Sequence, residues 1–187
     1  MSVFTGTLVA PAGRFAMVAA RFNQIVVDAL VRGALDGFAR HGVHEDAIDI
    51  VWVPGSLELP LVAKKLAESA NYIGVVCLGA VIRGETDHYE HVAAGAASGI
   101  VQAGLSTGIP VIFSVLTCNT LDEALNRAGG KSGNKGFDAA CAAIEMVNLL
   151  RTLPEGRKAA SHEDRSRVSR APENAEAATA RPDGRIS

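Results

Sequence analysis

Short apolar, β-branched runs alternate with amphipathic stretches along most of the chain. The runs are RFAMVAA (14–20), AIDIVWV (47–53), YIGVVCLGAV (72–81) and IPVIFSVL (109–116). Little polar alternation interrupts them, which fits strands covered on both faces. Between them the period lengthens. In 24–41, Val27, Leu30, Val31, Ala34, Leu35 and Phe38 recur on one helical face. In 56–70, Leu59, Val62, Ala63 and Leu66 do the same, and Ala140, Ala143, Ile144, Val147 and Leu150 form the stripe of 134–152. Residues 88–107 are rich in Ala and Gly, as suits a closely packed helix, and Thr120 with Glu123 makes a capping box for a short one. Strand and helix alternate four times, so the pattern predicts a three-layer α/β/α fold with a four-stranded parallel sheet. VFTGTLV (3–9) reads as an extra strand with no place in that order, pairing at an edge or with a neighbouring chain.

The far end breaks the pattern. From Pro154 the chain has no aromatic residue, one Val and one Ile, and seven basic residues nearly balance six acidic ones. Too little apolar surface is available there to offset ordering entropy, so 154–187 is expected to be a disordered charged tail after a single domain over 1–153. A net charge of −2 gives no electrostatic footprint for nucleic acid or an anionic membrane, and 5% aromatic content argues against a base-stacking surface. Cys77, Cys118 and Cys141 are odd in number and lack zinc spacing, so they read as small buried hydrophobes in a reducing compartment. The opening MSVFTGTLVAPAGRF does not read as a signal peptide, and no apolar stretch is long enough to span a bilayer, so a cytoplasmic location is expected.

Ligands of such sheets bind beyond the carboxyl ends of the strands. After the first strand come Arg21, Phe22 and Asn23; after the second, Pro54, Gly55, Ser56, Leu57 and Glu58. After the third comes VIRGETDHYEH (81–91), and Phe113 and Ser114 are placed at the end of the fourth. All four sets are expected on one rim. Gly84 suits a close turn, and Asp87 suits an N-cap with Glu90 as its capping-box partner. A helix N-terminus after a glycine turn suits a phosphate, although Glu85 and Asp87 would repel an anion, and the segment could simply start a helix. His88 is either a general acid/base or a surface histidine, since imidazoles exchange protons near neutrality. His88 and His91 lie three apart on a helix, but no third ligand has a diagnostic spacing, so no metal is expected. Ser56 could N-cap the second helix, with Glu58 complementing the helix dipole or accepting ligand hydroxyls. Phe22 is either core or a surface for a flat ring, and Asn23 is a plausible helix cap. RAGGKSGNKG (127–136) is either a flexible interhelix turn or a source of cations, Arg127 and Lys135, for a phosphate. It is not a P-loop, and no GxGxxG follows the first strand.

Taken together, ARFN (20–23), VPGSLELP (53–60), LGAVIRGETDHYEHV (78–92), GIPVIFSVLT (108–117) and NRAGGKSGNKG (126–136) resemble the lumazine synthase family over roughly residues 3–152. The resemblance implies a flavodoxin-like domain that condenses 5-amino-6-(D-ribitylamino)uracil with 3,4-dihydroxy-2-butanone 4-phosphate, without cofactor or metal. It implies proton transfer by His88, and a phosphate pocket shaped by Gly84, Glu85 and Thr86 with charge from Arg127. Lys135 would lie near that pocket. Phe22 would stack on the pyrimidine, whose edge is read by Ala80, Val81 and Ile82; Ser56, Leu57 and Glu58 would hold the ribityl chain, and Asn23 would line the pocket. Phe113 and Ser114 would come from the neighbouring subunit. Position 57 is often aromatic in this family and is Leu57 here, 123 is commonly Gln and is Glu123, and Phe22 stands where some members have Trp.

The resemblance also implies a homo-oligomer of pentamers, with the first strand joining an adjacent subunit's sheet. An uninterrupted GGKSGNKG turn is associated with hollow icosahedral shells, which could enclose riboflavin synthase, and the turn here is uninterrupted. Two other classes stay open: a shell or flavin-binding module that lost the reaction, and a flavodoxin-like binding protein. The presence of His88, Arg127, Lys135 and Glu58 argues against the first, and the missing phosphate loop after the first strand against the second.

Overall fold

Four parallel strands carry the fold in the computed structural model, which describes residues 1–154; the tail expected at 154–187 lies, beyond Pro154, outside the described residues. The elements run β1 (Phe15–Ala20), α1 (Gln24–Arg40), β2 (Ile48–Val53), α2 (Leu59–Glu68), β3 (Gly74–Ile82), α3 (His88–Thr107), β4 (Val111–Cys118), α4 (Leu121–Arg127), β5 (Ala128–Gly130), β6 (Gly133–Asn134) and α5 (Lys135–Thr152). The sheet order is β2-β1-β3-β4, with every pairing parallel. This is a flavodoxin-like α/β arrangement, in which the chain turns from β1 outward to β2 and then crosses back to β3.

Burial explains the apolar runs. All six residues of β1 are buried, alternately on two sides. Phe15, Met17 and Ala19 join a core with α1 and α5, built around Leu30, Phe38 and Ile144. Ala16, Val18 and Ala20 join a second core with α2 and α3, around Leu59, Ala63 and Ile100. The Phe15 and Phe38 rings pack 4.8 Å apart between centroids.

Several local expectations change. Residues 3–9 form no strand in this chain. Within one chain two of their carbonyls meet α5, Asn148 Nδ2 donating to Thr7 O and Val9 O at 2.8 and 2.9 Å, and just beyond them Arg151 donates to Ala12 O at 2.7 Å. The glycine-rich 127–136 segment is not a featureless turn; β5 and β6 make it a small antiparallel hairpin. Half of the box of Thr120 and Glu123 forms, with Glu123 N donating to Thr120 Oγ1 at 3.2 Å, while the Glu123 carboxylate accepts from Asn119 N at 2.8 Å, one residue before the cap.

One side chain ties three of these pieces together. Asn134 caps α5, its Oδ1 accepting from the backbone N–H groups of Gly136 and Phe137. Its Nδ2 donates to Ala29 O in α1 at 2.9 Å and to Ala128 O in the hairpin at 3.1 Å. Gly33 of α1 makes this possible, because the three atoms that a Cβ there would meet first all belong to the Asn134 amide.

Candidate functional site

The carboxyl ends of β1, β2 and β3 meet at the point where the strand order reverses. Backbone bonds bring the post-strand segments together: Arg21 N and Phe22 N donate to the carbonyls of Val53 and Pro54. Asn23 spans the crevice between β1 and β3, donating from Nδ2 to Ala80 O at 2.9 Å. It is not the side-chain cap expected of it. Its backbone is left-handed at φ 58°, a conformation that asparagine tolerates better than most residues, and this turns the amide away from α1 and across the sheet.

Above that crevice lies a cavity of about 520 Å³. Its wall includes Phe22, the 54–58 segment, Ala80, Val81 and Ile82, and its mouth carries Gly84, Thr86 and His88. Phe22 presents a largely exposed ring, 70% accessible, so the reading of it as core fails and the open aromatic face stands. Apolar walls with a few polar groups at one end are what a site for a flat, polar-edged small molecule requires.

The second strand's loop differs from expectation in detail. Ser56–Glu58 forms one 3-10 turn, and α2 begins only at Leu59, with Pro60 in its first turn. Ser56 is buried and makes no cap. Leu57 and Glu58 remain exposed at the cavity. Gly95 of α3 allows this approach, since a Cβ there would meet Leu57 Cδ1 at 2.8 Å.

At the third strand, Asp87 occupies the cap position of α3 but makes no side-chain cap bond. The expected box with Glu90 is absent because the Glu90 carboxylate is drawn to Arg83, 3.2 Å away. Gly84 is not in the left-handed region, and a Cβ there would meet nothing within 4 Å. Its value at the mouth is open space rather than an unusual turn. Glu85 is exposed and outside the cavity wall, whereas Tyr89 and Val92, which the sequence reading passed over, belong to it. Helical spacing from His88 carried that signal for Val92, because i and i+4 share one face of the helix, whereas Tyr89 at i+1 had no such signal.

The fourth set is not on this rim. β4 runs on to Cys118 and pairs Phe113 with Cys77, so Phe113 and Ser114 lie mid-strand rather than at its end. They line a second cavity of about 330 Å³ with Lys135 and Asp138. An edge strand leaves such mid-strand side chains reachable, and Phe113 is 41% exposed. Ser114 Oγ donates to Lys135 O at 3.1 Å, pinning the start of α5 to the sheet, and Lys135 Nζ pairs with Asp138 at 2.8 Å. Arg127 lines neither cavity; its guanidinium donates to Glu123 O at 3.1 Å.

A family model described as 6,7-dimethyl-8-ribityllumazine synthase matches residues 12–151. The chain belongs to this family. Membership implies riboflavin biosynthesis, small-molecule substrates and a transferase type of biosynthetic enzyme, and it suggests oligomerisation. The matched span contains both cavities and ends within α5, the helix that holds the N-terminal segment. Among the described residues no helix is long and apolar enough to cross a membrane.

Proposed function

We propose that this chain, acting in the cytoplasm, condenses 5-amino-6-(D-ribitylamino)uracil with 3,4-dihydroxy-2-butanone 4-phosphate. The products would be 6,7-dimethyl-8-ribityllumazine, inorganic phosphate and two molecules of water, in the penultimate step of riboflavin biosynthesis. No cofactor is required. One observation carries this reading: a single cavity joins an open aromatic face, a strand edge, a Ser-Leu-Glu turn and a histidine at the mouth.

In this reading the uracil ring stacks on Phe22, and backbone groups of Ala80, Val81 and Ile82 read its polar edge. Ser56, Leu57 and Glu58 hold the ribityl chain, Glu58 by accepting its hydroxyls, and Asn23 keeps the two strand ends at fixed separation. Thr86 and the backbone at Glu85 hold the phosphate, with Arg127 as its counter-charge.

The chemistry needs proton movement and proximity more than a strong nucleophile. The 5-amino nitrogen adds to the ketone carbon, and loss of water gives an imine. A proton then leaves carbon, and the C–O bond to phosphate breaks with its electron pair on the departing oxygen. After tautomerisation the ribityl-bearing nitrogen attacks the remaining carbonyl, and loss of a second water closes the ring. His88 at the mouth takes and returns these protons. Lys135 polarises the ketone.

Lys135, Phe113 and Ser114 line a cavity separate from the one that holds His88. The reading therefore requires two copies of the chain, one supplying each wall; we propose that they sit in pentamers, which pack into a hollow icosahedral shell able to enclose riboflavin synthase. The apolar side chains of Val3, Phe4, Leu8 and Val9 are exposed and favour a partner for the N-terminal segment. Light scattering tests the assembly, and a particle no larger than a decamer would refute the shell.

The reaction is tested by mixing the assembled protein with both substrates and following lumazine fluorescence. Wild type is expected to form the product rapidly, and His88→Ala to be slower by about 10²- to 10⁴-fold, the usual contribution of a positioned acid/base. Equal rates would remove His88 from the mechanism. No product above background would favour a binding or shell protein.

A further inference from the structure

His88, the first residue of α3, has no side-chain hydrogen bond to hold it among the described residues, and the cap position before it makes none. Something else must fix the turn on which it sits. Arg83, immediately after β3, is placed to do so. Its backbone N–H donates to Cys118 O at 2.9 Å, which extends the β3–β4 ladder by one residue. From that anchored base its guanidinium makes three contacts. Nη2 meets Glu90 Oε1 at 3.2 Å, Nε donates to Asn119 Oδ1 at 3.2 Å, and the cation lies 4.5 Å from the centroid of the Tyr89 ring. Asn119 is itself held from behind, its N–H bound to the Glu123 carboxylate at 2.8 Å.

We infer that Arg83 is a positioning residue for His88. One planar cation grips the two residues that follow His88 and ties them to the β4–α4 loop. A guanidinium can bond in its own plane and stack on a ring at the same time, which the ammonium of a lysine cannot. Tyr89 also lines the cavity and directly follows His88, so the stack holds the histidine's neighbour in place. The inference rests on the lumazine-forming reading above and assigns the residue that makes its proton transfer geometrically possible. Arg83 is not among the residues that line the cavity.

The test is a double-mutant cycle in the assembled protein, with Arg83→Ala, His88→Ala and the pair, read by lumazine formation. Arg83→Ala is expected to lower kcat about 10- to 100-fold, the scale of a misplaced catalytic group. The dissociation constant of the pyrimidine substrate should stay within about twofold, because in this reading it is held by Phe22, the 54–58 turn and the end of β3, none of which is among the side-chain contacts of Arg83. In the His88→Ala background the same change should alter the rate by less than about twofold. Hydrogen exchange should quicken at the amides of residues 88–92 and nowhere else. Arg83→Lys, which keeps the charge without the planar fork, should recover only part of kcat, and it carries the cycle if the alanine variant does not assemble. A wild-type rate in Arg83→Ala, an equal loss in both backgrounds, or parallel loss of pyrimidine binding and turnover would overturn the inference. So would failure of both variants to assemble, which would make Arg83 purely structural. Absence of product from wild type, measured first, would instead refute the reaction itself and the inference with it.

Discussion

Replacing Gly33 with alanine should destabilise the protein in one background and stabilise it in another. In wild type, the new methyl group would occupy the space of the Asn134 amide. That amide accepts from two backbone N–H groups at the start of α5 and donates to the carbonyls of Ala29 and Ala128. Losing a side-chain N-cap costs about 1 kcal/mol. Two further bonds to backbone carbonyls contribute about 1 kcal/mol each, so the Asn134 amide is worth roughly 2–4 kcal/mol. Gly33→Ala forfeits most of this and regains about 1 kcal/mol from alanine's better helix propensity, a net loss of roughly 1–3 kcal/mol. In Asn134→Ala the amide is already gone, and the same substitution should then add about 0.5–1 kcal/mol. Urea unfolding followed by circular dichroism, at one fixed protein concentration so that assembly does not vary, measures all four corners of the cycle. A loss of equal size in both backgrounds would refute the argument, because it would mean that Gly33 is required by something other than the Asn134 amide.

Two other outcomes follow from the charged and thiol groups. Asp49 accepts from Arg14 and from the Tyr72 hydroxyl, both at 2.8 Å, and these bonds hold its carboxyl below the usual carboxylate range. A lowered folded pKa stabilises above the unfolded value of about 3.9 and is lost as pH falls through the folded one. The advantage of wild type over Asp49→Asn should therefore be constant at neutral pH and shrink only in acid; a pH-independent difference across a denaturation series would contradict it. Burial pushes the Cys77 thiol up to about 12, so at pH 8 its labelling by a thiol reagent should keep pace with global unfolding. Peptide mapping that finds Cys77 labelled well before unfolding would contradict the buried placement.

The parts of this fold legible in the sequence were those written in periodicity. Runs such as RFAMVAA and the stripe from Val27 to Phe38 mark burial directly, and they located every strand of the main sheet and each long helix to within a few residues. The rim followed, because the residues after a parallel strand must lie at its carboxyl end. What failed depended on bonds between residues distant in sequence. Asn23 carries the composition of a cap, but its amide belongs to Ala80, 57 positions away. Asn134 looks like one polar residue in a glycine-rich turn, and its bond to Ala29 spans 105 positions. Phe113 and Ser114 fall inside the run IPVIFSVL rather than at its end, and pairing with β3 carries the strand on to Cys118. Glu90 had the right spacing for a capping box, but spacing does not record a competing guanidinium.

β1 raises a last point about how such a strand finds its place. All six of its residues are buried, so hydropathy is the same whichever side faces which helices. A one-residue slip, which usually turns every apolar group of one face to water, would only exchange two covered faces within the strand, apart from the exposed Arg14 and Arg21 at its ends. The difference lies in size. Phe15 and Met17 face α1 and α5, while Ala16 and Ala20 face α2 and α3. A slipped strand would force a benzyl group into a slot cut for a methyl and leave a void opposite. The alignment of the central strand, and with it the height of Phe22 above the sheet, is therefore encoded in volume along the strand as well as in the charges at its two ends.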